Sequence, residues 1–337
     1  MWKKHWDLKN KMNIAIIGCG IIGEKRLNAL GEHKLVFAAD KNISRAQRLC
    51  DIKKQGKPIV DWKDIISTPE VDIVIVATTN DSLAEITAAA LKCNKHILVE
   101  KPAGRNPEDL REVTEAQKKS KAFVKVGFNH RFHPALLKAK EIISSESIGE
   151  LMFIRGRYGH GGRKGYEKEW RFNKDLSGGG ELLDQGVHLI DLSRWMFDCE
   201  FTGISGYTNT YFWNADLEDN GFLQLLTEKK QMAWLHVSAT EWKNMFCMEI
   251  YGKYGKLQID GLGGSYGIER LAYYKMSPEM GPPETTIWEY PFPDNSWKLE
   301  FDYFVDCIEK GIQPEGNPDD AERAIGIVYK IYEGNGK

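Results

Sequence analysis

From residue 13 to about 130 the chain alternates short, continuously apolar runs with amphipathic stretches. "NIAIIG" (13–18), "LVFAAD" (35–40), "VDIVIVAT" (71–78), "HILVEK" (96–101) and "AFVKVGF" (122–128) read as strands. Runs without a polar face fit parallel strands covered on both sides. The intervening periodicity predicts helices near 20–31, 43–51, 80–94 and 107–120, with Asn80/Asp81 and Asn106-Pro107 as start signals for the last two. Such alternation predicts a doubly wound α/β domain with right-handed crossovers.

After about residue 150 the pattern changes. "ELMFIRGRYGH" (150–160), "GFLQLLTE" (221–228), "QMAWLHVSA" (231–239), "FCMEIYG" (246–252) and "GKLQIDG" (255–261) are strand-like. Turn signals at Glu228-Lys229-Lys230 and Gly252-Lys253-Tyr254-Gly255 make them a meander of antiparallel strands. One strong helix interrupts it at about 179–197. Helices near 296–311 and 318–333 close the chain, the second entered through Asn317-Pro318-Asp319-Asp320. The expected division is a nucleotide domain over 12–130 and an α+β domain over 131–337.

Composition excludes more than it selects. The 337 residues are 42% hydrophobic and 28% charged, with material for two domains and a sizeable core. A net charge of -2 favours neither nucleic acid nor an anionic membrane as partner. No run approaches the length of a membrane span. Six scattered cysteines, without a C-x-x-C pair, suit reduced thiols of a cytoplasmic protein better than disulfides or zinc. The leading "MWKKHWDLKNK" lacks the apolar region of a secretory signal and reads as a short extension, since Met12 can itself start the domain.

"GCGIIG" sets Gly18, Gly20 and Gly23 after a strand and at a helix start, and Asp40 ends the second strand 20 residues after Gly20. Gly18 permits the tight turn, Gly20 lets the backbone approach a pyrophosphate, and Gly23 lets the helix pack close. Asp40 would bind ribose hydroxyls and repel a 2′-phosphate, favouring NAD over NADP. Lys41 and Arg45 nearby weaken that preference. "HILVEKPAG" places Glu100-Lys101-Pro102 at the carboxyl end of the fifth strand, where doubly wound sheets bind ligands. An ammonium there can stabilise a developing alkoxide.

"GGGELLDQGVHLIDL" (178–192) carries a polar stripe on an apolar helix. At 100° per residue Asp184, His188, Asp191 and Trp195 share a narrow sector, and leucine, isoleucine, valine, methionine and phenylalanine fill most of the remainder. A buried helix of this kind must give its carboxylates polar partners, in the core or in a cleft.

In their order along the chain, Gly18–Gly23, Asp40, Glu100-Lys101-Pro102, "GFNHRFHP" (127–134), "IGEL" (148–151) and "GGGELLDQGVHLID" (178–191) resemble the Gfo/Idh/MocA oxidoreductases. The resemblance spans about 13 to 333. It implies a Rossmann domain followed by an α+β domain with a large, mostly antiparallel sheet, commonly used for oligomerisation, here as a homodimer or homotetramer. It also implies NAD(P)-dependent oxidation or reduction of a secondary alcohol on a sugar or cyclitol. By position Lys101 matches the catalytic lysine, Asp184 the substrate-binding aspartate and His188 the catalytic histidine.

The cofactor set is then Gly18, Gly20, Ile21, Ile22, Gly23, Asp40, Thr78, Asn80, Glu100 and Lys101, and no metal is expected. The substrate set is Lys101, Asn129, Arg131, Trp170, Arg171, Asp184 and His188. The chain departs from "ATPN-x-x-H" with Thr79 for the proline and Leu83 for the histidine, which bears on the cofactor-side loop. The cations of 155–171 hint at an anionic substrate such as a nucleotide sugar or sugar acid, although a solvated basic loop has the same composition. The leading expectation is an NAD-dependent sugar or nucleotide-sugar dehydrogenase. An inositol-type polyol dehydrogenase, an NAD-dependent glycosidase and a non-catalytic dinucleotide sensor are the alternatives. Asp191 is left without a catalytic role.

Overall fold

A computed structural model describes residues 10–334; the leading 1–9 of the expected extension lie outside the described residues. The chain forms two compact units. The first runs to Phe128 and takes up the chain again over Trp297–Arg323. Strands β1 (Asn13–Ile17), β2 (Lys34–Ala39), β3 (Lys57–Ile59), β4 (Ile73–Val76), β5 (His96–Val99) and β6 (Val124–Val126) form one parallel sheet in the order β3-β2-β1-β4-β5-β6. Helices α1 (Ile21–Ala29), α2 (Ile43–Lys53), α3 (Lys63–Ile66), α4 (Asn80–Lys92) and α5 (Pro107–Lys118) connect them.

The apolar runs became strands because both of their faces are covered. Ile14, Ile16, Ile73, Ile75 and Leu98 are all fully buried. Asn106 caps α5 by accepting from the Asp109 N–H, while Thr79 precedes α4 without a side-chain cap. The short β3, "KPI", carried no strand signal. It is an edge strand, where a proline's missing N–H is tolerated.

The second unit holds Asn129–Ser296 and the residues from Ala324 onward. Helix α6 (Pro134–Ser144) precedes β7 (Leu151–Gly159); the single-turn α7 (Lys174–Ser177) and α8 (Val187–Phe197) precede β8 (Phe201–Asn209). Then follow β9 (Asn220–Thr227), β10 (Met232–Ser238), β11 (Met245–Gly252), β12 (Gly255–Asp260), β13 (Glu269–Lys275) and β14 (Glu284–Tyr290). The eight strands lie in the order β14-β13-β12-β11-β7-β10-β9-β8, antiparallel except that β7 runs parallel to β10. The expected hairpins β9–β10 and β11–β12 are present, with β7 inserted between them. Strands β8, β13 and β14 escaped the sequence reading; β8 and β14 are edges with few buried side chains, which leaves no apolar alternation to read.

Two boundaries differ from expectation. The first segment of the first unit ends at Phe128, against the 130/131 limit expected, and α9 (Ser296–Lys310) lies almost entirely in that unit rather than in the second. Phe301, Phe304 and Val305 are buried in one cluster with Ile14, Leu27, Leu30, Ile73 and Leu98. Helix α10 (Pro318–Gly334) contributes its first residues to the first unit and the rest to the second. The helix expected over 179–197 also divides, into a π-helical turn, Leu182–Gly186, and then α8. The uniform 100° stripe therefore holds only from Val187 onward. Among the described residues no helix is long and apolar enough to cross a membrane.

Candidate active site

The glycine turn of the first unit is built from backbone contacts. Gly18 adopts φ +93°, and a β-carbon on it would run into the Ala77 carbonyl; one on Gly23 would run into the Gly18 carbonyl. Gly20, which precedes the first residue of α1, differs: a β-carbon there would meet nothing within 4 Å. Packing explains two of the three glycines and leaves open space over the third. That is the cradle a pyrophosphate on a helix N-terminus requires. Ile21 is 75% exposed beside it and Ile22 is half-buried.

Asp40 accepts the Cys19 N–H at 2.9 Å and the Asn42 N–H at 2.8 Å, which ties its carboxylate to the turn. Thr78 accepts from the Ser82 hydroxyl at 2.9 Å, and Asn80 is buried at the start of α4. Thr79 holds φ -68°, the value a proline ring imposes, so the departure from the family pattern keeps the backbone direction. Leu83 is fully buried.

Glu100 follows β5, buried inside the unit. Its carboxylate pairs with Arg26 at 2.6 Å, Arg26 pairs with Glu300 at 2.7 Å, and Glu300 with Lys125 at 3.0 Å. Two cations and two anions thus neutralise each other in the core, as burial demands. Gly127 is required beside them, since a β-carbon would press on Arg26 at 2.7 Å. The Glu100 carboxylate, read from sequence as part of the cofactor set, is engaged by Arg26 instead. Lys101 follows, half-buried, and the Lys101-Pro102 peptide is cis.

The second unit collects the remaining expected residues around β7 and the 182–197 segment. Strand alternation sorts β7 into two faces. Gly156 and Tyr158 lie toward α8, where a β-carbon on Gly156 would touch Leu189 at 3.4 Å. Arg155 and Arg157 lie on the opposite face, with Arg155 paired to Glu249 at 3.0 Å. These two arginines, part of the cationic hint of an anionic substrate, therefore point away from His188.

Asp184 accepts from Arg171 Nε at 3.1 Å, and the guanidinium of Arg171 lies 4.9 Å over the Trp170 ring. Glu169 pairs with Arg171 at 3.5 Å and with Arg163 at 2.6 Å. Burial alone would lower the Arg171 pKa, but Asp184, Tyr166 and Glu169 together outweigh it and raise it, so Arg171 is held charged. His160 accepts the Gly162 N–H through Nδ1 at 3.0 Å, which leaves Nε2 facing Glu181 at 3.6 Å. Burial depresses His160, and the carboxylates of Glu181 and Asp184 overcome that and push it up. Burial raises the Tyr158 hydroxyl well above the usual phenol range, and the nearby Tyr266 adds to the shift.

His188 is 4% exposed, and its ring stacks on His130 at 3.8 Å between centroids with 22° between planes. Asp191 is held by Arg131 through Nε at 2.8 Å and Nη2 at 2.5 Å. Asn129 donates to the Ser296 hydroxyl at 2.9 Å. Asn129 and Arg131, read as substrate contacts, are 5% and 6% exposed with protein partners. Gly180 is packed against the Glu218 carbonyl, and the Glu218 carboxylate accepts the Gly180 and Leu182 N–H groups at 3.2 and 3.1 Å. The glycine run thus admits another part of the protein's own backbone. The sequence reading gave His130, Tyr158, His160 and Glu181 no site role; the period-2 pattern of β7 was the available signal for Tyr158.

Residues 12–128 match the profile of an oxidoreductase family with an NAD-binding Rossmann fold, and residues 136–258 match the GFO/IDH/MocA C-terminal domain. The chain belongs to this family. A levoglucosan dehydrogenase of Pseudarthrobacter phenanthrenivorans is 34% identical over 223 residues, 62% of this chain and 57% of that relative. An inositol 2-dehydrogenase of Salmonella paratyphi B is 24% identical over 314 residues, 90% of this chain and 88% of the relative. The solved structure of a levoglucosan dehydrogenase in complex with NADH and levoglucosan superposes with a TM-score of 0.88 at 22% identity, covering 97% of this chain and 98% of that one. Within this GFO/IDH/MocA chain the NAD-binding match contains Gly18–Gly23, Asp40 and Lys101. The C-terminal match contains Tyr158, Arg171, Asp184 and His188.

Proposed function

We propose that this family member oxidises a secondary hydroxyl of a neutral sugar or cyclic polyol with NAD, and reduces the ketone in the reverse direction. The observation that carries the reading is the charge balance around Asp184. Arg171 and Arg163 are each matched by a carboxylate, Asp184 or Glu169, so neither guanidinium brings an uncompensated charge to meet a phosphate or a sugar acid. The names of the relatives, a levoglucosan and an inositol dehydrogenase, support the same class.

In this reading Gly18, Gly20, Ile21, Ile22, Gly23, Asp40, Thr78 and Asn80 hold the dinucleotide, with the Asp40 charge favouring NAD over NADP. When bound, NAD supplies the hydride acceptor. His188 takes the hydroxyl proton and returns it in the reverse direction. Lys101 donates to the same oxygen and stabilises its alkoxide character. Asp184 accepts from a neighbouring hydroxyl, and Trp170, braced by Arg171, offers an aromatic face to the ring. Arg131 acts through Asp191, fixing α8. Six free cysteines support a reducing, cytoplasmic location. The sheet face bearing Trp234, 59% exposed, supports self-association as a homodimer or homotetramer.

Absorbance of reduced nicotinamide, followed against polyols, aldoses, anhydrosugars, sugar acids and nucleotide sugars, tests the reading. Turnover confined to the charged substrates would overturn it. Lys101→Ala and His188→Ala are each expected to lower kcat at least about 10²-fold while NADH still binds. Near-normal turnover in both would remove the assigned roles.

A further inference from the structure

The stacked pair His130–His188 has a proton arrangement that can be read from its neighbours. The Ser296 hydroxyl donates to Asp294 Oδ1 at 2.6 Å, so its oxygen accepts from Asn129 Nδ2 at 2.9 Å. That fixes the Asn129 amide, and its carbonyl oxygen is the atom facing His130 Nδ1 at 3.2 Å. An amide oxygen only accepts, so Nδ1 of His130 carries the hydrogen. A relay of one carboxylate, one hydroxyl and one amide thus sets the tautomer and the ring plane of His130.

Around this ring stand Tyr158 of β7 at 5.2 Å, His133 at 5.7 Å and Phe246 of β11 at 6.3 Å, all between ring centroids. Tyr158 also meets His188 edge-on at 6.2 Å. The charged groups of the surrounding elements are occupied: Asp191 by Arg131, Asp184 by Arg171, and Glu269 by His133 at 2.9 Å. His130 is 6% exposed. Two imidazolium rings cannot share such a stack, because both charges would be desolvated and in contact. A neutral ring, by contrast, presents a π face that attracts a cation.

We propose that His130 is a positioning residue for His188: a neutral imidazole, held flat by the Asn129–Ser296–Asp294 relay, whose face orients His188 and stabilises the imidazolium formed when His188 takes the substrate proton. The inference rests on the acid–base role proposed for His188 and adds a residue that touches neither substrate nor cofactor. It predicts that a planar, uncharged replacement preserves function where a small one does not.

The test uses the full-length chain with His130→Phe and His130→Ala, with thermal melts and NADH fluorescence confirming that each variant folds and binds. His130→Phe is expected to keep kcat within about threefold of the parent, and His130→Ala to lose about tenfold or more at an unchanged KM for NAD. In the parent, histidine ring NMR across a pH series should show His188 titrating as one member of a coupled pair, with a broadened or two-step curve that becomes a single step in His130→Phe. Equal kcat for the parent and His130→Ala would overturn the proposal, as would a His130→Phe variant as slow as His130→Ala, or an identical His188 titration in both proteins. If the parent turns over no sugar or polyol, the proposed activity falls, and the titration alone decides the pairing.

Discussion

At the scale of single residues, the three glycines of one motif answer to different demands. A β-carbon at Gly18 or Gly23 collides with backbone carbonyls of the protein itself, whereas at Gly20 it meets open space. Gly23→Ala is therefore expected to destabilise the fold by about 2–4 kcal/mol, read as a lower melting temperature. Gly20→Ala should melt within a few degrees of the parent yet bind NADH at least about tenfold more weakly, since the methyl group fills the cradle. A Gly20→Ala protein with parental NADH affinity would show that the open space is not a phosphate site. Gly18, Asp40, Lys101, Asp184 and His188 were legible in the sequence because each belongs to a short motif whose spacing is local. His130, Tyr158 and Glu181 were not, because their partners arrive from segments 21 to 58 residues away along the chain.

At the scale of elements, α8 shows how a helix that is apolar on most sides keeps its carboxylate. Asp191 is 1% exposed and shares two hydrogen bonds with Arg131 from the 3-10 turn Asn129–Phe132. Removing one partner strands a buried charge, so Asp191→Ala should cost about 3–5 kcal/mol in urea unfolding, whereas Arg131→Met combined with Asp191→Leu should recover part of the loss. A single-variant cost below about 1 kcal/mol would mean that the pair contributes little. The polar stripe was read with one angular increment for the whole segment. The π-helical turn Leu182–Gly186 changes that increment, so Asp184 departs from the ideal line while His188 and Asp191 keep it. A local widening of this kind leaves no mark on hydrophobic periodicity.

For the whole molecule, chain order and unit membership diverge at α9. Its apolar positions are those of any amphipathic helix, and only the packing of Phe301, Phe304 and Val305 against Ile14, Leu27 and Leu98 assigns it to the first unit. The large sheet has one face under α8 and another that carries Trp234, Arg155 and the 52% exposed Tyr207. Placing a charge there, as in Trp234→Glu, is expected to lower the assembly state seen by light scattering while leaving the melting of the isolated chain near the parent. An unchanged mass would remove that face from the proposed self-association. By itself the sequence determined the parallel sheet, its glycine turn and acid, the existence of a second, mostly antiparallel sheet, and the Asp184–His188 segment. All of these rest on periodicities of two to four residues or on motifs within one loop. Only the tertiary structure decided that Arg155 and Arg157 face away from His188, that Glu100 pairs with Arg26, and that His130 lies on His188. Those outcomes depend on which distant backbone a side chain meets, and local pattern does not encode that meeting.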